Sequence, residues 1–157
     1  MSPTLKDIVK EKLQKLLDAR FIYPIFNHEW VSPLVLVPKK NGKWRIYVNY
    51  RELNKATKKD HFPLPFIDQV LDDLAGKKFF SFLDGFSRSN QIQISLEDQD
   101  KTTFTCPWDT FAYRVLPFGL CNSPTTFQRA VLSIFSELFH DSVEIYMDDF
   151  IPCGSSF

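Results

Sequence analysis

The sequence predicts an α+β fold, and three observations carry that expectation. Apolar residues recur at helical spacing near the start of the chain. A basic turn containing Asn41-Gly42 separates two strand-like runs. A second strand-turn-strand near the end carries the adjacent acids Asp148-Asp149. Helical stripes mixed with antiparallel hairpin signals point to segregated helices and sheets rather than a parallel α/β array.

The elements follow in order. Ser2-Pro3 reads as a helix start, with Ser as cap and Pro at the first position. Leu5, Ile8, Val9, Leu13, Leu16 and Leu17 then mark one helical face. Phe21 to Trp30 has no regular pattern. Val31 to Val37 is strand-like despite Pro33. Lys39 to Lys43 is a basic turn in which Asn41-Gly42 favours type I′, and Trp44 to Tyr50 is the return strand. Arg51 to Asp60 is polar, helical or looped. Pro63 and Pro65 precede a short helix over Phe66 to Ala75, ended by Gly76. The apolar run Phe79 to Leu83 leads to Asp84.

Beyond it, Gln91 to Ser95 alternates as a strand does. Thr102 to Cys106 and Phe111 to Leu116 form an expected hairpin around Pro107-Trp108-Asp109-Thr110. Ser123-Pro124 caps a further helix with Phe127, Ala130, Val131, Ile134, Phe135 and Leu138 as its buried stripe. Val143 to Met147 and Phe150 to Cys153 are strands on either side of the acidic tip.

With 157 residues and 44% hydrophobic content, the chain can bury a real core, and 16 Phe argue against disorder. No apolar run is long enough to span a bilayer, and no basic-then-apolar leader opens the sequence, so an intracellular protein without a membrane partner is expected. Cys106, Cys121 and Cys153 show no metal-ligand spacing and read as reduced thiols. His28, His61 and His140 are isolated in sequence and read as structural or surface residues. The zero formal charge hides an asymmetry. Residues 1–60 hold 13 Lys/Arg against 6 Asp/Glu, while residues 61–157 hold 6 against 13. A basic half can bind phosphates and an acidic half cations. Mutual attraction of the halves is an alternative cause.

The acids suggest chemistry. Asp148-Asp149 at a hairpin tip, facing Asp84 at a strand end, can hold two divalent metals, the arrangement used for in-line phosphoryl transfer. An Asp-Asp pair is also common in solvated turns, so the surrounding motifs decide. WVSPLVLVPKKNGKWR, YRELN, FPLPFIDQVLDDL, FSFLDG, KTTF, LPFGLCNSPTTFQ and YMDDF occur in that order. Together they resemble the fingers and palm of the reverse transcriptases of Gypsy-type long-terminal-repeat retrotransposons, over nearly the whole chain.

That resemblance implies a set of expectations. The first part of the fingers would span residues 1–59, the first part of the palm 60–91, the second part of the fingers 92–121 and the rest of the palm 122–157. Asp84, Asp148 and Asp149 would be the catalytic, metal-binding triad for two Mg²⁺ ions, with Mn²⁺ as an alternative, and Asp149 the more peripheral. Lys39, Lys40 and Arg45 would close on the triphosphate. Gly85, Phe86, Arg88, Ser89, Phe118 and Gly119 would complete the nucleotide site. Arg51, Asn54, Pro117, Tyr146 and Met147 would lie along template and primer. Arg51 and Asn54 could instead be structural, and Phe118 a core aromatic. Expected partners are an RNA or DNA template with primer, deoxynucleoside triphosphates and the remainder of a Pol polyprotein.

The sequence also departs from the family pattern. Arg88 stands where the family has Gly, and Ser89 where it has the aromatic that supports the deoxyribose and excludes a 2′-hydroxyl. Arg88 is therefore expected either to reach the sugar-binding floor or to pair with one of the triad carboxylates. Asn49 replaces an Asp, Asp109 a turn Gly, and Ser123-Pro124-Thr125 an Ala-Pro-Ala pattern. Pro152 removes a ladder N–H from the strand after the acids. The sequence ends eight residues after Asp149, so a shortened palm with no thumb, connection or RNase H is expected, and no polymerase activity from the isolated chain. Two readings stay open. One is an RNA-directed DNA polymerase domain fragment; the other is a decayed remnant, inert or weakly nucleic-acid binding. A metal-dependent nuclease ranks third, because the basic hairpin motifs would have no role in it.

Overall fold

The computed structural model describes residues 3–155, and the Ser2 cap lies outside the described residues. The fold is α+β. The chain divides into two compact units, one built from residues 1–58 and 89–121 and the other from residues 59–88 and 122–157.

The first unit opens with helix α1 (Pro3–Asp18). Its apolar stripe places Val9 and Leu13 in a core with Ile22, Phe104 and Phe111, flanked by Leu16, Leu17, Leu34, Leu36, Ile46 and Val48. The sheet beneath has five strands: β1 (Ile22–Pro24), β2 (Ser32–Pro38), β3 (Trp44–Val48), β6 (Phe104–Cys106) and β7 (Asp109–Tyr113), in the order β1-β7-β6-β2-β3. All pairings are antiparallel except β2 with β6. Strand β1 was not expected, since Phe21 to Trp30 shows no alternation. It is a three-residue edge strand held by register with β7, and its terminal Pro24 suits an edge.

Three further expectations for this unit change. The basic turn is not type I′, which needs left-handed φ at both central residues. Only Gly42 is left-handed, at φ +76°. Gly42 N–H donates to Lys39 O at 3.0 Å, so a four-residue β-turn over Lys39 to Gly42 ends on the left-handed glycine, and Asn41 Oδ1 accepts from Lys43 N–H. The strand expected over Gln91 to Ser95 reduces to one bridge between Gln93 and Val115, between a 3₁₀ turn (Arg88–Gln91) and the four-residue helix α4 (Leu96–Gln99). The β6–β7 hairpin is tighter than expected, with Cys106 paired to Asp109 around Pro107-Trp108. The polar stretch after β3 forms helix α2 (Arg51–Ala56).

The second unit contains α3 (Ile67–Leu74), α5 (Ser123–Ile134) and a four-stranded sheet. Its strands are β4 (Phe79–Phe80), β5 (Leu83–Asp84), β8 (Val143–Tyr146) and β9 (Asp149–Gly154). Strand β9 pairs with β4 and β5 on one edge and with β8 on the other, always antiparallel. Val70 and Leu74 from α3 pack on Ile151 to form the core. β4 and β5 share one register against β9, and they are interrupted at Ser81-Phe82. Ser81 N–H donates to Pro152 O at 3.0 Å, but Pro152 has no N–H to return the bond. The proline therefore splits one expected strand into two.

α5 departs from expectation at its start and in its buried face. Asn122, not Ser123, is the N-cap residue; its side-chain oxygen accepts from Asp60 N–H instead of capping the helix. The buried positions are Ser123, Thr125, Gln128 and Val131, while Ile134 and Leu138 are exposed. The buried face keeps Val131 of the expected stripe but includes the glutamine in place of Ile134 and Leu138, so it is turned from the face that apolar periodicity marks. Among the described residues, no helix is long and apolar enough to cross a membrane.

Candidate functional site

Asp84 ends β5 and sits in register opposite Asp149, the first residue of β9. Tyr146 pairs with Asp149 across the β8–β9 hairpin, so its two-residue loop is Met147-Asp148. The acidic tip is thus one residue offset from the expected Asp148-Asp149 loop. Met147 has φ +56°, the left-handed first position that the loop requires. Gly85 N–H donates to Asp148 O at 2.9 Å, locking the hairpin to the residue after Asp84. A Cβ on Gly85 would stand 3.1 Å from that same carbonyl oxygen and 3.1 Å from the Phe150 ring. The close approach of the two acidic segments therefore depends on glycine.

Asp84 and Asp148 meet on one cation, and it is Arg88. Its Nη2 donates to Asp84 Oδ1 at 3.2 Å and to Oδ2 at 3.4 Å, and its Nε lies 2.5 Å from Asp148 Oδ2. Of the two placements expected for Arg88, the structure has the pairing with carboxylates. Ser87 and Arg88 both adopt left-handed φ, +56° and +47°. The backbone at Arg88 thus keeps a conformation that favours glycine while carrying a long side chain. That conformation turns the guanidinium back onto residue 84.

The donor set fits a hard divalent cation in kind: carboxylates are the ligands Mg²⁺ takes, and two of them already bracket one positive group. The fit requires Arg88 to withdraw, because its nitrogens occupy the oxygens a metal would use. Among the described residues, the three aspartates do not bring their oxygens within 4.8 Å of one another. Phe86 and Tyr146 belong to the same unit, Phe86 largely exposed and Tyr146 partly buried against the Val70–Ile151 core.

The first unit holds the remaining candidates in two groups. Lys39, Lys40 and Arg45 line an open depression of about 440 Å³ with Val37, Asn41 and Tyr47. Arg45 Nη1 donates to Tyr47 Oη at 2.9 Å. Tyr47 escaped the sequence reading, although its spacing of two from Arg45 on a strand puts both on one face. The Tyr47 ring lies 6.0 Å from that of Phe118.

The second group is the loop Leu116 to Cys121. Asn54 Nδ2 donates to Gly119 O at 2.8 Å, and its Oδ1 accepts from Cys121 N–H at 2.8 Å. The side chain of Asn54 is therefore spent on holding this loop, the structural of its two expected roles. Gly119 has φ +105°, and a Cβ there would meet Tyr50 and Val48 only at 3.6 Å. Its glycine is demanded by backbone conformation rather than by crowding. Phe118, 77% exposed, is not a core aromatic. Beneath the loop Tyr50 is buried, its hydroxyl donating to Thr102 O at 2.9 Å, and burial raises its pKa far above the ordinary tyrosine value. Arg51 is exposed on α2, and Ser89 is the second residue of the 3₁₀ turn that Arg88 opens.

Comparison with known proteins follows the same lines. The profile of the family described as "Reverse transcriptase (RNA-dependent DNA polymerase)" matches residues 37–156. The chain is 38% identical over 154 residues to the retrovirus-related Pol polyprotein from transposon 412 of Drosophila melanogaster, covering 94% of this chain and 12% of that protein. It is 38% identical over 119 residues to the transposon Tf2-3 polyprotein of Schizosaccharomyces pombe, covering 76% of this chain and 9% of that one. The chain thus spans about a tenth of the length of these polyproteins. Native prototype foamy virus protease-reverse transcriptase superposes with a TM-score of 0.86 at 26% identity, over 99% of this chain and 21% of that one. A foamy viral protease-reverse transcriptase in complex with an RNA/DNA hybrid shares the fold, with a TM-score of 0.88 at 22% identity over 99% of this chain and 21% of that one.

Proposed function

Because this chain belongs to the reverse transcriptase family, we propose that its first unit is the fingers and its second the palm of an RNA-directed DNA polymerase from a long-terminal-repeat retrotransposon. The observation that carries the reading is the meeting of Asp84 and Asp148 on one cation, with Asp149 next in register. In the polyprotein, the reaction is template-directed attack of a primer 3′-hydroxyl on a deoxynucleoside triphosphate.

Asp84 and Asp148 would hold the divalent ions, of Mg²⁺ type with Mn²⁺ as an alternative. Bound there, such ions lower the pKa of the hydroxyl and neutralise charge on the triphosphate and the leaving pyrophosphate. Lys39, Lys40 and Arg45 would bind the triphosphate, since a basic hairpin offers mobile donors to phosphate oxygens. Phe118 and Gly119, on the loop tied by Asn54, would support the nucleotide and templating base. Gly85 fixes the spacing of Asp84 from the Met147-Asp148 loop, and Tyr146 and Met147 would carry the primer terminus. Template strands of RNA or DNA would be held through their phosphates.

A specific observation favours the second reading, a domain without catalysis. Arg88 ties up both principal carboxylates, and Ser89 supplies no aromatic plate for the deoxyribose. In this chain, polymerisation is therefore held off until Arg88 leaves. The test is primer extension on an RNA template with Mg²⁺, in a polyprotein carrying a family thumb. Arg88→Gly with Ser89→Tyr should gain extension over the unaltered sequence. Robust extension by the unaltered sequence would sink the second reading, and no gain from the folded double variant would sink the role given to Arg88 and Ser89.

A further inference from the structure

Away from the aspartate pair, the second unit gathers Asp73 from α3, His140 from the segment after α5 and Glu144 from β8. One ligand atom of each lies within 4.8 Å of the other two, and no other described residues form such a three-donor group. His140 Nδ1 stands 3.3 Å from Glu144 Oε1 and 3.6 Å from Asp73 Oδ2. We propose that these three side chains form a binding site for a divalent cation of the zinc class, with a water as fourth ligand.

The distances suit that ion. Zinc bonds to nitrogen and oxygen of about 2.0–2.2 Å set the edges of a tetrahedron at about 3.3–3.6 Å. Both measured separations are such edges. As a hydrogen-bonded cluster the same atoms are poorly matched. Nδ1 carries one hydrogen at most, and 3.6 Å is beyond a hydrogen bond, so Asp73 and Glu144 cannot both be satisfied by it. Glu144 is only 1% exposed, and a buried carboxylate beside another calls for a compensating cation. The Lys77 ammonium donates to Asp141 O at 2.9 Å.

An independent observation points into the same place. Asp73, His140 and Glu144 line a cavity of about 240 Å³ together with Gln128. Gln128 is 0% exposed, and both its Nε2 and its Oε1 lack a hydrogen-bond partner. A buried amide left so is costly, and a metal-bound water in the cavity would donate to its Oε1. The imidazole among the donors selects zinc-class ions over Mg²⁺, which takes oxygen ligands and holds its waters. His140 has φ +67°, a strained backbone that aims the ring at the two acids.

The experiment titrates Zn²⁺ at pH 7.4 against a chromophoric indicator. The protein is the chain carrying Asp148→Asn, which breaks the other acidic pair. One equivalent should bind, unaffected by millimolar Mg²⁺. His140→Ala, an exposed change, and Asp73→Asn should each weaken binding at least tenfold. Glu144→Gln should do the same if it folds, as checked by circular dichroism; if it does not, the first two variants decide. X-ray absorption should give nitrogen and oxygen ligands only, with imidazole scattering. Sulfur in the coordination shell, full affinity in His140→Ala, displacement by Mg²⁺ or no stoichiometric binding would each overturn the assignment.

Discussion

Replacing Arg88 by glycine tests the central feature of the aspartate pair. The guanidinium contacts both carboxylates, but in a wet setting. The Arg88 side chain is 59% exposed, that of Asp84 66% and that of Asp148 28%. Exposed ion pairs contribute about 0–1 kcal/mol each, and the more sheltered Asp148 contact belongs at the upper end. Two such contacts sum to roughly 1–2 kcal/mol that a metal must displace. At about 1.4 kcal/mol per factor of ten, Arg88→Gly should tighten divalent-ion binding at Asp84 and Asp148 roughly 5- to 30-fold. Stability should hardly move. A left-handed φ costs a non-glycine residue about 1–2 kcal/mol, while glycine adds about 0.5–1 kcal/mol of unfolded-state entropy and the ion pairs are lost. The net is within about 1 kcal/mol of the parent. The assay is Mn²⁺ titration followed by electron paramagnetic resonance, in a His140→Ala background that silences the second cluster. Arg88→Lys is the control, keeping the charge but not the fork. An affinity within twofold of the parent would refute the competition, and a gain beyond a hundredfold would mean the pair is far better shielded than its exposure says.

Three further outcomes are expected. Gly85→Ala forces a methyl against the Asp148 carbonyl and the Phe150 ring, and should cost about 1–3 kcal/mol in urea unfolding; a neutral result would mean the hairpin yields easily. Asn54→Ala removes two loop hydrogen bonds and should cost about 1–3 kcal/mol, with amide exchange rising first at Cys121. Asp60 is held below its ordinary value near 3.8, chiefly by hydrogen bonding from Arg129 and also by the Phe62 N–H. A lowered carboxylate stabilises above its unfolded pKa, and that stability is lost as pH falls through the folded value. Melting temperature should therefore drop on acidification below about pH 4, and drop less in Asp60→Asn; parallel curves would exclude the pair as a contributor.

Much of this was legible from residues alone, for identifiable reasons. Asn41-Gly42 marks a turn by local chemistry, and the apolar stripe of α1 marks its face by period. Asp84, Asp148 and Asp149 stand in ordered motifs, and those motifs led to the family. The failures share a physical cause. The turn type depended on a backbone bond from Gly42 to Lys39, and β1 exists only through its register with β7. The division of β4 from β5 required knowing that Ser81 faces Pro152. Arg88 offered two destinations, and only the left-handed backbone at Ser87 and Arg88 chose between them. His140 is four residues from Glu144, a spacing with no meaning outside a helix, and Asp73 reaches it through the fold. Buried Gln128 was invisible to any scheme that equates burial with apolarity.

The position of β9 in its sheet also has a consequence in time. Among the described residues, β4 and β5 find their only ladder on β9, whose first residue is made 65 positions after Asp84. At about 5–20 residues per second, the ribosome leaves Phe79-Phe80-Ser81-Phe82-Leu83 without its partner for roughly 3–13 s. That pentapeptide has no charge and no proline, the composition of a self-associating strand. Lys77-Lys78 before it and Asp84 after it flank it as gatekeepers. Asp84 thus acts on the nascent chain as well, and replacing it by a neutral residue exposes the chain to aggregation during synthesis before any question of chemistry arises.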